Sequence, residues 1–154
     1  MSRKWSVYEQ NQLRKHGFWG KDLTQFGEMP VEYITGQVEF DGLNFLVNQD
    51  VLISRIETVQ MVEEADKFLA DRVEIDFAEI GTGSGFQSAL LSRIVKEVYT
   101  IEIVEPLGNA VAGVLKTLGY DNVHQRVGDG YYGWPEVEGG FDIILVTCAA
   151  LYVP

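Results

Sequence analysis

The sequence predicts an α/β domain built on a parallel sheet, and three observations carry that prediction. Phe77-Ala-Glu-Ile-Gly-Thr-Gly-Ser-Gly85 joins an apolar, strand-like run to a glycine-dense turn, and Phe86-Gln-Ser-Ala-Leu-Leu-Ser-Arg-Ile-Val95 continues from it at helical spacing. β-Branched runs at 98–104, 123–127 and 141–146 alternate with helical stretches, the order that winds a parallel sheet. Acidic residues stand where such runs end: Glu102 lies 21 residues beyond Gly81, and Asp129 sits between Gly128 and Gly130.

Taken along the chain, residues 1–28 carry Trp5, Tyr8, Leu13, Phe18 and Trp19. They are read as one or two short helices forming an N-terminal segment without assigned chemistry. Residues 29–53 read as a β-hairpin, with Val38, Phe40, Phe45 and Val47 around Asp41-Gly42. A helix over 57–69 follows from the stripe Val59, Val62, Ala65 and Leu69. The first strand ends at Ile80, a helix runs to Lys96, and the second strand covers 98–104. A helix over 106–118 has Pro106 in its first turn. The third strand is 123–127 and the fourth 141–146. Residues 29–154 are thus expected to form one sheet-based domain, with ligands held beyond the carboxyl ends of its strands.

Composition narrows the function. The chain has 154 residues, 46% hydrophobic and 23% charged, enough for one domain with a core. Its formal net charge of −11 opposes a nucleic-acid role, which needs clustered Lys and Arg. Cys148 is the single cysteine and His16 and His124 the two histidines, so no internal disulfide or metal cluster is expected, and Cys148 is read as a buried small hydrophobe. No apolar run reaches 18 residues and no signal-like N-terminus appears, so the expected setting is the cytoplasm, away from membranes.

The glycine turn reads G-x-G-x-G, which permits positive φ angles and close approach of a ligand to backbone. Phe86 occupies the place of the third glycine in a G-x-G-x-x-G pyrophosphate loop, which argues against a nicotinamide dehydrogenase. Glu102 is placed to accept both hydroxyl protons of a ribose, and Asp129 to accept from an exocyclic amine such as that of adenine; Asp129 also fits a turn aspartate bonded to its own backbone.

From Phe77 onward the residues resemble class I S-adenosylmethionine-dependent methyltransferases of Rossmann-like fold, most closely the protein-L-isoaspartate O-methyltransferases. The resemblance runs through Glu79-Ile-Gly-Thr-Gly-Ser-Gly-Phe-Gln87, Tyr99-Thr-Ile-Glu-Ile-Val104, Leu118-Gly-Tyr-Asp-Asn-Val123, Val127-Gly-Asp-Gly-Tyr131, Gly133-Trp-Pro135 and Phe141-Asp-Ile-Ile-Leu-Val-Thr147. It implies S-adenosyl-L-methionine as cofactor, bound by Glu79, Gly81, Thr82, Gly83, Ser84, Gly85, Glu102, Ile103, Gly128, Asp129 and Gly130, and a protein or peptide substrate.

The segment Pro30-Val-Glu-Tyr-Ile-Thr-Gly-Gln-Val-Glu-Phe-Asp-Gly-Leu-Asn-Phe45, with Val51–Thr58 and Val62-Glu63, resembles instead the release-factor glutamine N5-methyltransferases. Ser54, Ile56 and Val59 depart from that family's two prolines and second glutamate, and Thr147-Cys-Ala-Ala-Leu-Tyr-Val-Pro154 replaces its Asn-Pro-Pro-Tyr. An amide nucleophile needs acceptors for its two hydrogens, whereas a carboxylate needs only alignment. Carboxyl O-methylation of isoaspartyl residues is therefore the expected activity, with Ser54 and Thr147 as substrate-positioning hydroxyls. Glutamine N5-methylation and cofactor binding without turnover are the alternatives. The resemblance further implies strands beyond the fourth, so the chain reads as a sheet ending early. Its fourth-strand edge is expected to be covered by a homo-oligomer contact through Ile143, Leu145 and Leu151-Tyr152.

Overall fold

The computed structural model of the chain describes residues 3–40, 42–53, 56–69 and 74–149. The backbone divides into two compact units, Met1–Arg55 and Ile56–Pro154.

In the first unit, α1 (Val7–Lys15) starts at a reciprocal cap. The Glu9 amide donates to Ser6 Oγ at 3.2 Å and the Ser6 amide to Glu9 Oε2 at 2.7 Å. The Ser6 amide, more than the neighbouring Arg3, holds the Glu9 carboxyl below the usual range. Leu13 of α1 packs with Val31 and Ile34, and Trp5, Phe18, Leu23, Phe26 and Met29 close around them. Trp5, Phe18 and Phe26 are thus partly buried against this core, while Tyr8 and Trp19 stay half exposed. Val31 and Ile34 lie on α2 (Val31–Thr35), a helical turn inside the stretch expected to be hairpin throughout. Pro30 leads into it with φ fixed at −51°, and the three-residue spacing of Val31 and Ile34 turns both toward Leu13. The hairpin itself is β1 (Gln37–Phe40) against β2 (Leu43–Leu46), antiparallel, with Phe40 opposite Leu43. Gly42 takes φ +71° in the connection, as a two-residue turn requires.

The second unit opens with α3 (Ile56–Leu69), which buries Val62 and Leu69. Then come β3 (Asp76–Ile80), α4 (Phe86–Leu91), β4 (Glu97–Glu102), α5 (Glu105–Thr117), β5 (Val123–Val127) and β6 (Ile143–Val146). The four strands form one parallel sheet in the order β5-β4-β3-β6. Phe77, Val98, Leu90 and Leu91 are among the most buried side chains. Burying such groups is worth about 1.5 to 3 kcal/mol each, which sets the register of the sheet against its helices.

Two elements end earlier than their apolar patterns predict. α4 stops at Leu91 because the amides of Arg93 and Ile94 bond three residues back, at 3.2 and 2.9 Å, tightening the chain so that Lys96 and Glu97 reach the carbonyl of Ile75. β4 stops at Glu102 because the Glu102 carboxylate takes the Val104 amide at 2.9 Å and bends Ile103 and Val104 out of the sheet into solvent. On the sheet, Tyr99 of β4 stacks on His124 of β5 with centroids 4.7 Å apart and meets Trp134, which follows β5, edge-on at 5.2 Å. The Arg126 guanidinium lies over Trp134 at 4.6 Å.

Among the described residues β6 pairs on one side only, with β3. Beside it an apolar groove of about 630 Å³ is lined by Met61, Ala65, Phe68, Phe77, Ile143 and Leu145. Leu151 and Tyr152, expected at this edge, lie outside the described residues.

Candidate functional site

The carboxyl ends of β3, β4 and β5 each run into a turn at the same end of the parallel sheet, where open α/β sheets hold ligands. The turn after β3 is clamped to β4. The amides of Gly81 and Thr82 donate to the Ile101 carbonyl at 2.9 and 3.3 Å, and the Gly83 amide to Glu102 Oε2 at 2.9 Å. Gly81, Gly83 and Gly85 all take positive φ, at +100°, +55° and +78°.

Their surroundings differ. A Cβ on Gly81 would meet Cys148 Cβ at 3.0 Å and Thr147 Oγ1 at 3.2 Å, and one on Gly85 would meet Val111 Cγ1 at 2.8 Å. On Gly83 it would meet nothing within 4 Å. The first and third glycines therefore let protein approach protein, and the middle one leaves room for a ligand. Ser84 is exposed beside it.

Thr82 and Glu79 turn inward. Thr82 is 3% exposed, with its hydroxyl 2.8 Å from that of Thr100, and Glu79 is 1% exposed. Glu79 Oε2 accepts from the hydroxyls of Ser88 and of Thr100, the latter at 2.9 Å. Burial, aided by the charge of Glu102, pushes the Glu79 carboxyl up to about 7 against the lowering pull of Ser88 and Thr100.

Glu102 is 6% exposed and bridges two segments, Oε2 taking the Gly83 amide and Oε1 the Val104 amide, both at 2.9 Å. Each carboxylate oxygen keeps a second acceptor position, as a diol would require. Ile103 beside it is 67% exposed. In the turn after β5, the Gly128 amide donates to the Glu102 carbonyl at 2.9 Å. A Cβ on Gly130 would lie 2.4 Å from Ile80 Cγ2. Asp129 is exposed and accepts the Tyr131 amide at 2.9 Å, capping a single 3-10 turn over Gly130–Tyr132.

Thr147, just past β6, donates its hydroxyl toward the carbonyls of Ile80 at 3.1 Å and Gly81 at 2.9 Å, so it belongs to the same cluster. Ser54 lies outside the described residues. Cys148, expected to be buried, is exposed, because the chain leaves the sheet at Val146.

Sequence reasoning missed Ser88, Thr100 and Gly108. Thr100 passes for an ordinary β-branched strand residue, and Ser88 for an ordinary helix residue. Gly108 carried a usable signal, since a glycine inside a helix costs about 1 kcal/mol relative to alanine and implies a close approach. A Cβ there would meet Gln125 Nε2 and Val127 Cγ2 at 2.8 Å and Glu102 Cβ at 3.3 Å.

Comparison with known proteins places this arrangement. A family model described as protein-L-isoaspartate(D-aspartate) O-methyltransferase matches residues 30–154, taking in the hairpin and α3 as well as the sheet. Protein-L-isoaspartate O-methyltransferase 1 of Nitrosospira multiformis is 53% identical over 108 residues, covering 70% of this chain and 42% of that protein. A solved protein-L-isoaspartate O-methyltransferase superposes with a TM-score of 0.53 at 21% identity, over 91% of this chain and 47% of the other, which shows the shared fold. The O-methyltransferase TomG from Streptomyces achromogenes, solved in complex with SAM, superposes with a TM-score of 0.52 at 25% identity, over 66% of this chain and 47% of its own. The chain thus spans less than half the length of each of these proteins. Its sheet is that of the Rossmann-like class I methyltransferases, and the chain belongs to the protein-L-isoaspartate(D-aspartate) O-methyltransferase family.

Proposed function

We propose that the second unit binds S-adenosylmethionine beyond β3, β4 and β5, and that the protein methylates the carboxylate of isoaspartyl residues in proteins or peptides. The observation that carries this reading is the convergence of three turns, Gly81–Gly85, Glu102–Ile103 and Gly128–Gly130, at one end of the sheet in a chain of this family. The residues present fit such a donor. Gly83 leaves open space, Glu102 has acceptor positions for a ribose diol, Ile103 offers an exposed apolar surface, and Asp129 is free toward solvent for an exocyclic amine.

The donor, when bound, supplies a methyl group on a sulfonium, which a nucleophile displaces in line. A carboxylate acceptor is already nucleophilic at neutral pH, so the chain's own residues have to align it and exclude water rather than remove a proton. Thr147 is assigned to substrate positioning. Its single proton is directed at the Ile80 and Gly81 carbonyls, so toward a substrate it acts as an acceptor, suited to a peptide N–H. Ser54 is assigned the same task from its sequence position.

A gain of one methyl mass on an isoaspartyl peptide, released as methanol in mild base, tests the proposal, since esters give methanol and amides do not. Binding of S-adenosylhomocysteine with no methyl gain on the peptide would reduce the chain to a donor-binding module. A cytoplasmic setting and a homo-oligomer covering β6 belong to the same proposal. The described helices include none long and apolar enough to cross a membrane. The apolar groove beside Ile143 and Leu145 supports association, since apolar burial there is worth roughly 25 cal/mol per Å². A stable monomer in sedimentation would overturn the oligomer.

A further inference from the structure

Four side chains make a buried polar chain behind the glycine turn: Ser88 on α4, Glu79 on β3, Thr100 on β4 and Thr82 in the turn itself. Counting protons gives the chain a direction. A hydroxyl has one proton to donate. Thr100 gives its proton to Glu79 Oε2 at 2.9 Å, so in the 2.8 Å bond between Thr82 and Thr100 the donor is Thr82. The bonds therefore run from Thr82 through Thr100 to Glu79, with Ser88 donating to the same oxygen from the other side.

That direction depends on the charge of Glu79. A carboxylate only accepts, whereas a carboxylic acid carries a proton that needs an acceptor of its own. A proton on Oε2 displaces one of its two donors. Along the Thr100 branch the whole chain reverses, and the Thr82 proton loses the acceptor it had in a residue that is 3% exposed. Thr82 also anchors the turn through its backbone, its carbonyl accepting the Gly85 amide at 2.9 Å, so its orientation is felt on both sides of Gly83.

We propose that Glu79 is a positioning residue for the donor turn: as a carboxylate it holds Thr82, through Thr100, in the orientation that binds the donor, and its protonation releases that hold. The inference rests on the donor site proposed above. The charged group acting on Glu79 is Glu102 at the end of β4, while α4 and β4 face it with the hydroxyls of Ser88 and Thr100. Burial pushes its titration up to about 7, so the release falls in the neutral range.

The test is calorimetric titration of S-adenosylhomocysteine into the 154-residue chain between pH 5.5 and 8.5, with circular dichroism confirming the fold at each pH. With Glu79 titrating near 7, affinity is expected to fall about thirtyfold from pH 8.5 to 5.5, as the competent fraction falls. Glu79→Gln is expected to show no pH dependence and to bind at every pH no more tightly than the parent does at pH 5.5. Thr100→Val, close in shape and keeping Glu79, is expected to flatten the pH profile in the same way. A flat profile in the parent, or an unchanged slope in either variant, overturns the relay. A slope lost in Glu79→Gln but kept in Thr100→Val overturns it too, because Glu79 would then act on the donor directly. A folded parent that binds no S-adenosylhomocysteine at any pH fails the donor site itself.

Discussion

Glu102 and Asp129 stand at the ends of neighbouring strands and close their turns in opposite ways. Glu102 is nearly buried and ties two separate segments together, the glycine turn through Gly83 and its own exit through Val104. Asp129 is exposed and bonds an amide two residues further on. The first carboxylate is a joint between elements and the second is a local cap. Losing the joint should disturb fold and ligand together, while losing the cap should disturb chiefly the ligand, at a small cost in stability.

Glu79 extends that contrast to full burial and gives the largest expected effect. Its folded carboxyl is raised from 4.5 to about 7, so the folded state holds the proton more tightly than the unfolded chain does. The stability this provides is complete below pH 4.5 and is lost as pH rises through about 7, a loss of about 3 kcal/mol. Denaturant unfolding of Glu79→Gln should lack this decline, leaving the variant more stable than the parent at pH 8. Equal pH dependence in both chains would show that Glu79 does not titrate there.

Glu102→Ala comes next. It should weaken S-adenosylhomocysteine binding by about 1.5 to 3 kcal/mol, the range for removing a charged hydrogen-bond partner, and lower the unfolding midpoint as well. A variant with unchanged stability would put Glu102 in the same class as Asp129. Gly130→Ala probes the backbone of the Asp129 turn, where the new Cβ would lie 2.4 Å from Ile80 Cγ2. Overpacking of this kind costs about 1 to 3 kcal/mol, to be read as a lower midpoint in chemical unfolding. Asp129→Ala gives the smallest change in stability, about 0.5 to 1.5 kcal/mol for one lost hydrogen bond, with a measurable loss of ligand affinity. If it unfolds the chain, the turn is no local cap.

Much of this was legible in the sequence. Gly81, Glu102 and Asp129 announced the three turns because strand endings and glycines are written in residue type and spacing. The hairpin followed from Asp41-Gly42 between apolar runs. What stayed hidden depended on partners distant in sequence. That Gly81 makes room for Thr147, and Gly85 for Val111, follows from packing that no local pattern encodes. Thr100 looked like any strand residue because its role is set by Glu79, 21 positions earlier. The helix at Val31–Thr35 escaped notice because five residues hold too little periodicity, and its cause is Leu13 on another helix.

The lone indole of the second unit has a practical use. Trp5 and Trp19 belong to the first unit, whereas Trp134 lies beneath the Arg126 guanidinium and against Tyr99. Replacing Trp5 and Trp19 with phenylalanine would leave a single indole whose emission reports only on the second unit, with its environment set by the Arg126 guanidinium and Tyr99. The melting of the strands could then be followed optically, apart from that of the N-terminal helices.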